Sequence, residues 1–161
     1  MASVVSVDKQ QVVIYTDGAC DPNPGTGGWA AILFHPHTAT RTEISGGERD
    51  STNNRMELTA VIEALQKLKQ HCRVAIITDS EYVKNAFTAG WLKNWVARGW
   101  KTADRKPVKN QDLWMKLIDL TAAHEIEWRW VRGHAFDRWN NRCDELAVEA
   151  RKKLAAEAKR L

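Results

Sequence analysis

Residues 11–17, Q-V-V-I-Y-T-D, form an apolar, β-branched run that Gly18 interrupts, which predicts a first strand. Asp21-Pro22-Asn23-Pro24-Gly25 is turn chemistry. Residues 28–34 predict a second strand, and residues 41–45, with polar alternation, a third. His35-Pro36-His37 reads as the hairpin turn between them, so the three strands form an antiparallel meander. A helix capped near Ser51 or Thr52 follows, with Met56, Val61, Ile62, Leu65 and Leu68 on one stripe. Residues 74–78, V-A-I-I-T, are a continuous apolar strand of the kind covered on both faces. A short helix is expected over residues 80–90, and another over Gln111–Ala122, striped by Leu113, Trp114, Leu117, Ile118 and Thr121. Residues 126–131, I-E-W-R-W-V, alternate as a strand. From Asn140 a last helix turns Cys143, Leu146, Ala147, Ala150 and Leu154 inward.

Three sequential strands followed by helices alternating with strands predict an α/β fold. Its five-stranded mixed sheet has three antiparallel strands, then two parallel to the first, and helices on its faces. Residues 1–10 read as a short lead-in, and residues 11–161 as a single domain. No apolar run approaches the roughly 18 residues of a membrane span, so no membrane association is expected. Cys20, Cys72 and Cys143 are odd in number and widely spaced. That spacing disfavours a zinc site or a disulfide framework and favours a reducing, cytoplasmic compartment.

Charge adds a second layer. The 161 residues carry a formal net charge of +4, but six of the basic residues crowd into residues 91–109 against the single acid Asp104. The same window holds Trp91, Trp95 and Trp100, three of the eight tryptophans. Basic side chains interleaved with flat aromatics suit a nucleic-acid backbone. A solvated loop anchored to the core by its tryptophans accounts for the window equally well.

Four carboxylates carry the candidate chemistry. Asp17 and Asp79 each follow an apolar strand, and parallel neighbours would bring both out at one sheet edge, where open α/β sheets bind ligands. Glu57 lies one turn before Val61 and Asp144 one turn before Ala147, beside the buried stripe of each helix. Any one of these acids alone is more simply a turn former or a complement to the helix dipole. Gathered together they would repel, and a bound cation is the natural compensation. Oxygen ligands without cysteine suggest Mg²⁺ or Mn²⁺, and a pair of such ions suits in-line phosphodiester cleavage.

The strings I-Y-T-D-G-A-C with N-P-G after it, T-N-N-R-M-E-L (52–58), T-D-S (78–80), G-W-K-T-A-D-R-K-P-V-K-N-Q-D-L-W (99–114) and R-G-H-A followed by N-N-R-C-D-E-L-A occur in that order. With them the chain resembles bacterial type 1 ribonucleases H from about residue 11 to residue 150. The resemblance implies a ribonuclease H-like fold and endonucleolytic hydrolysis of the RNA strand of RNA–DNA hybrids, leaving 3′-hydroxyl and 5′-phosphate ends. It implies Asp17, Glu57, Asp79 and Asp144 as ligands of two Mg²⁺ ions. Asp17 would bridge them, Asp144 would serve the attacking-water side, and Glu57 and Asp79 the leaving-group side. His134 matches the loop histidine that assists proton transfer and product release.

Cys20, Asn23, Thr52, Asn53 and Asn54 match positions at the minor groove, where amides can read the 2′-hydroxyl as donor and acceptor. Asn23 as a turn residue and Asn53 and Asn54 as capping groups are compatible local roles. The basic window matches the protrusion that grips the DNA strand, with Trp91, Trp95, Arg98, Trp100, Lys101, Lys106 and Lys109 as its contacts. A monomer without an obligate protein partner is implied.

The chain departs from the family pattern at Glu81, where many members carry Gln, and at Phe136 and Trp139 in H-A-F-D-R-W-N-N. Two other readings remain open on the residues. One is a non-catalytic hybrid- or duplex-binding module carried by the basic window. The other is a nuclease of the same fold with a different nucleic-acid substrate.

Overall fold

The first strand does not end at Gly18. In the computed structural model, which describes residues 10–131 and 137–158, β1 spans Gln11–Cys20 and Asp17 sits inside it. Pairing is the reason: Asp17, Gly18, Ala19 and Cys20 face Ala30, Trp29, Gly28 and Gly27 of β2 (Gly25–His35) in an antiparallel ladder. β3 (Thr40–Ser51) likewise outruns its expected end, because it follows β2 until Ser51 lies opposite Gly25. Its last residues, Gly46 to Ser51, carry no apolar signal and are held by the ladder alone.

The remaining elements are α1 (Asn53–Gln66), β4 (Arg73–Thr78), α2 (Glu81–Thr88), α3 (Trp91–Ala97), α4 (Gln111–Ala122), β5 (Glu125–Trp130) and α5 (Arg138–Ala158). The strand order is β3-β2-β1-β4-β5, with β4 parallel to both β1 and β5, as the sequence pattern predicts. The sequence pattern did not predict α3, a short helix inside the basic window. α5 begins two residues earlier than expected because Asp137 Oδ1 accepts the N–H groups of Trp139 and Asn140, at 2.9 and 3.1 Å.

One face of the sheet packs on α1, where Val12, Ile14, Leu33, Val74 and Ile76 meet Leu58, Val61, Ile62 and Leu65. Beyond α1, the buried Trp114 and Leu117 of α4 extend that core. α5 packs on the other face, across β1, β2 and β3.

Two glycines set how closely these helices approach. A Cβ on Gly18 would lie 2.4 Å from the carbonyl carbon of Met56 and 2.5 Å from the amide nitrogen of Glu57, so α1 backbone touches β1 backbone there. A Cβ on Gly28 would lie 2.0 Å from the Ala147 carbonyl oxygen and 2.7 Å from the Arg151 nitrogen of α5. Neither neighbour is a flexible side-chain tip that could swing away. Gly28→Ala is therefore expected to lower stability by about 1–3 kcal/mol through overpacking, read as a lower urea midpoint. An unchanged midpoint would mean that α5 is not seated on that strand.

Candidate active site

Parallel pairing of β1 and β4 places Tyr15 beside Ile77, so Asp17 and Asp79, each two residues further on, stand level at the same sheet edge. Strand alternation turns Asp17 toward the α5 face, where Asp144 occupies the second turn of that helix. Glu57 comes from the other face, in the first turns of α1 just past its Thr52 cap. Electrostatics link the four pairwise, Asp17 with Asp79 and with Asp144, and Glu57 with Asp79. Asp17 is pushed up to about 8, first by burial, then by the charges of Asp79 and Asp144 and a hydrogen bond with Asp144; the Gly18 N–H, at 2.9 Å, works the other way. Glu57 is pushed up to about 7 by burial and by Asp79, against the opposing Ser80 hydroxyl. Among the described residues, no basic side chain acts on either acid.

The Cys143 thiol, buried and facing the charge of Asp17, is held well above its usual range and stays protonated. Among the described residues the donor set at the edge is therefore oxygen only, which is the chemistry of a hard divalent cation. Among the described residues, no three His, Cys, Asp or Glu side chains close on one point as a complete ligand set would. The carboxylates stand as mutually repelling neighbours.

Ser80 also reaches the acids. Its hydroxyl accepts the Val83 N–H at 3.1 Å, capping α2, and donates to Glu57 Oε2 at 2.5 Å. A serine before a helical run signals a cap; that the same hydroxyl aims Glu57 is a tertiary fact with no local signature.

Beside the acids lies the amide-rich groove. Cys20 N–H donates to Asn53 Oδ1 at 2.7 Å, and Asn53 N–H donates to Asn23 Oδ1 at 3.1 Å. Thr52 Oγ1 accepts the Arg55 N–H as the N-cap of α1. Capping and loop closure thus engage the carbonyl oxygens of Asn23 and Asn53, while among the described residues their NH₂ groups meet no acceptor. Asn54, Lys109 and Asn110 line the same open groove. Arg55 ties the groove to the basic window: it pairs with Asp112 through two bonds of 3.1 and 3.2 Å, with Glu48 at 3.3 Å and with Asn110 at 3.2 Å. Asn110 and Trp114 in turn both donate to the Tyr82 hydroxyl.

Within the basic window the three tryptophans point inward. Trp91, Trp95 and Trp100 follow one another as tilted ring pairs at 6.0 and 6.4 Å, with Trp95 5.6 Å from the buried Trp114. Their first role is therefore to fasten the window to the core. Arg98, Lys101, Lys106 and Lys109 are exposed, and the bridge between Lys101 and Pro107 folds residues 101–107 into a small basic hairpin. His134 and Phe136 lie outside the described residues. Trp139 packs edge-on to Phe34 at 5.0 Å, with the Arg41 and Arg138 guanidiniums 4.7 and 4.5 Å from its ring centre.

The RNase H family model matches residues 9–152, nearly the whole of this architecture. The chain belongs to the ribonuclease H family, in its type 1 form. It is 57% identical over 140 residues to ribonuclease HI of Pseudomonas aeruginosa, covering 87% of this chain and 93% of that protein. It is 53% identical over 146 residues to ribonuclease H of Chlorobium phaeovibrioides, covering 90% of this chain and 99% of that one. Among solved structures it is similar to LC9-RNase H1, a type 1 RNase H with the type 2 active-site motif. The TM-score is 0.80 at 31% identity, over 91% of this chain and 74% of that chain. No helix among the described residues of this ribonuclease H family member is long and apolar enough to cross a membrane.

The raised acids have a thermodynamic consequence. The folded, metal-free protein holds the Asp17 proton up to about pH 8, whereas an unfolded chain releases it near pH 4. Stability in chelator is therefore expected to fall as pH rises across that interval. Asp17→Asn should flatten the decline and melt higher than the wild type at about pH 8. A wild-type melting temperature independent of pH over this range would contradict the burial and repulsion assigned to Asp17.

Proposed function

We propose that this chain is an endoribonuclease that hydrolyses the RNA strand of RNA–DNA hybrids, leaving 3′-hydroxyl and 5′-phosphate ends. The observation that carries the reading is the cluster of Asp17, Glu57, Asp79 and Asp144, with no basic side chain among the described residues acting on Asp17 or Glu57. Such a cluster is costly unless a cation joins it, and a module that only bound nucleic acid would gain nothing from negative charge beside phosphate. Asp17, Glu57, Asp79 and Asp144 would hold two Mg²⁺ ions, with Mn²⁺ able to substitute, and these supply water activation and neutralisation of charge on the leaving oxygen. The names of the curated relatives, ribonuclease H and ribonuclease HI, agree in reaction class.

The chain's own residues divide the rest of the work. Ser80 holds the Glu57 carboxylate in place. The NH₂ groups of Asn23 and Asn53, with Asn54, Thr52 and the segment at Cys20, read the minor groove and its 2′-hydroxyls. Arg98, Lys101, Lys106 and Lys109 contact the DNA strand's phosphates, on a base set by Trp91, Trp95 and Trp100. His134, by the family resemblance, moves a proton and assists product release. The protein acts as a monomer, and its three cysteines, free and buried, fit a reducing cytoplasm.

A labelled hybrid incubated with Mg²⁺ or with EDTA tests this reading. Wild-type protein should cut only the RNA strand, only with Mg²⁺, and should leave double-stranded DNA and double-stranded RNA intact. Asp17→Asn should lose at least about a thousand-fold in rate while still binding hybrid. Hybrid binding without cutting by the wild type would make the chain a binding module, and wild-type rates in Asp17→Asn would sink the four-acid assignment.

A further inference from the structure

Arg151 lies on α5 two turns beyond Asp144, on the strip of the helix that faces the sheet. Its backbone and Cβ rest against Gly28, and only 14% of its side chain is exposed. A guanidinium withdrawn from water is costly unless it is paired. Among the described residues, Nη1 has one ion-pair partner, Asp21 Oδ2 at 3.9 Å, and the buried Nε has no acceptor.

Asp21 is in the opposite situation. It is 77% exposed, and it opens the β1–β2 loop, whose residues Asp21, Pro22, Asn23 and Pro24 are all exposed. That loop has no apolar side chain in the core. It is held by Asp21 N–H on the Thr26 carbonyl at 3.3 Å, by the Cys20 thiol on the Gly25 carbonyl at 3.1 Å and by the bond from Asn53 N–H to Asn23 Oδ1. The first two close the loop on itself, and the third joins it to the N-terminus of α1. Arg151 provides its attachment to α5, from a half-enclosed position where attraction between opposite charges is stronger than at the open surface.

We propose that Arg151 is a substrate-positioning residue that acts through Asp21: it holds the β1–β2 loop in the orientation that presents the Asn23 amide to the hybrid. The proposal rests on the hybrid-cleaving function above. Because the four acids stand on β1, α1 and α5 and at the end of β4, not on this loop, displacing the loop should weaken hybrid binding and spare the chemical step.

The test compares full-length wild type, Arg151→Met, Arg151→Lys, Asp21→Asn and the double variant Arg151→Met/Asp21→Asn in steady-state cleavage of one hybrid. Melting temperatures are recorded in parallel. Arg151→Met and Asp21→Asn should each raise KM by about three- to ten-fold while kcat changes by less than about two-fold. The double variant should be no worse than Arg151→Met alone, since both changes break the same link. Arg151→Lys should recover part of the loss, keeping the charge without the planar fork. The proposal is overturned by a wild-type KM in Asp21→Asn, by effects that multiply in the double variant, by a loss confined to kcat, or by a lowered melting temperature with KM unchanged. Should Arg151→Met fail to fold, Asp21→Asn alters an exposed side chain and still decides the matter. A wild-type protein that does not cut the hybrid would refute the proposed function instead, which is a separate outcome.

Discussion

The candidate site depends on two places where helix backbone lies directly on strand backbone. At Gly18 the first helix touches β1, and at Gly28 the last helix touches β2. A side chain at either position would hold its helix off the sheet, because the obstructing atoms are peptide atoms with no freedom to move aside. Glu57 is itself the residue whose amide nitrogen meets Gly18, and Asp144 lies one turn before the carbonyl that meets Gly28. Close approach from both faces is therefore what brings carboxylates from two helices to a pair already made level by the parallel register of β1 and β4.

That convergence works against the stability of the metal-free protein. Burial and repulsion raise Asp17 and Glu57 far above ordinary carboxylates, and the hydrogen bonds from Gly18 and Ser80 offset only part of the effect. Hydrophobic packing carries the difference: the apolar stripe of α1 and the continuous core of β1, β2 and β4 hold the acids where they would not gather unaided. The same economy appears in the groove, where Asn23 and Asn53 close the backbone with one end of each amide and keep the other end available.

Much of this was legible in the sequence, for identifiable reasons. The five strands follow apolar or alternating runs, and the parallel order follows from helical crossovers, so the shared edge of Asp17 and Asp79 could be read from pattern. The polar end of β3 could not, because Gly46 to Ser51 is a strand only by virtue of its partner. Nor could α3, whose seven residues are too few to show a period. Ser80, Arg55 and Arg151 give no local signal, because each matters through partners far away in the chain. Trp139 has no evident role in the sequence; its packing on Phe34 of β2, with two guanidiniums over its ring, gives it one, as an anchor of the start of α5 on the sheet.

The central claim is that these carboxylates are forced together and await a cation, and carboxyl-carbon NMR titration of Asp17 and Glu57, with and without Mg²⁺, tests it most directly. Without metal, Asp17 should titrate at about 8 and Glu57 at about 7. Saturating Mg²⁺ should move both well below those values, because the cation favours the charged form. Ordinary carboxylate titrations near 4 in the metal-free protein, unmoved by Mg²⁺, would contradict it.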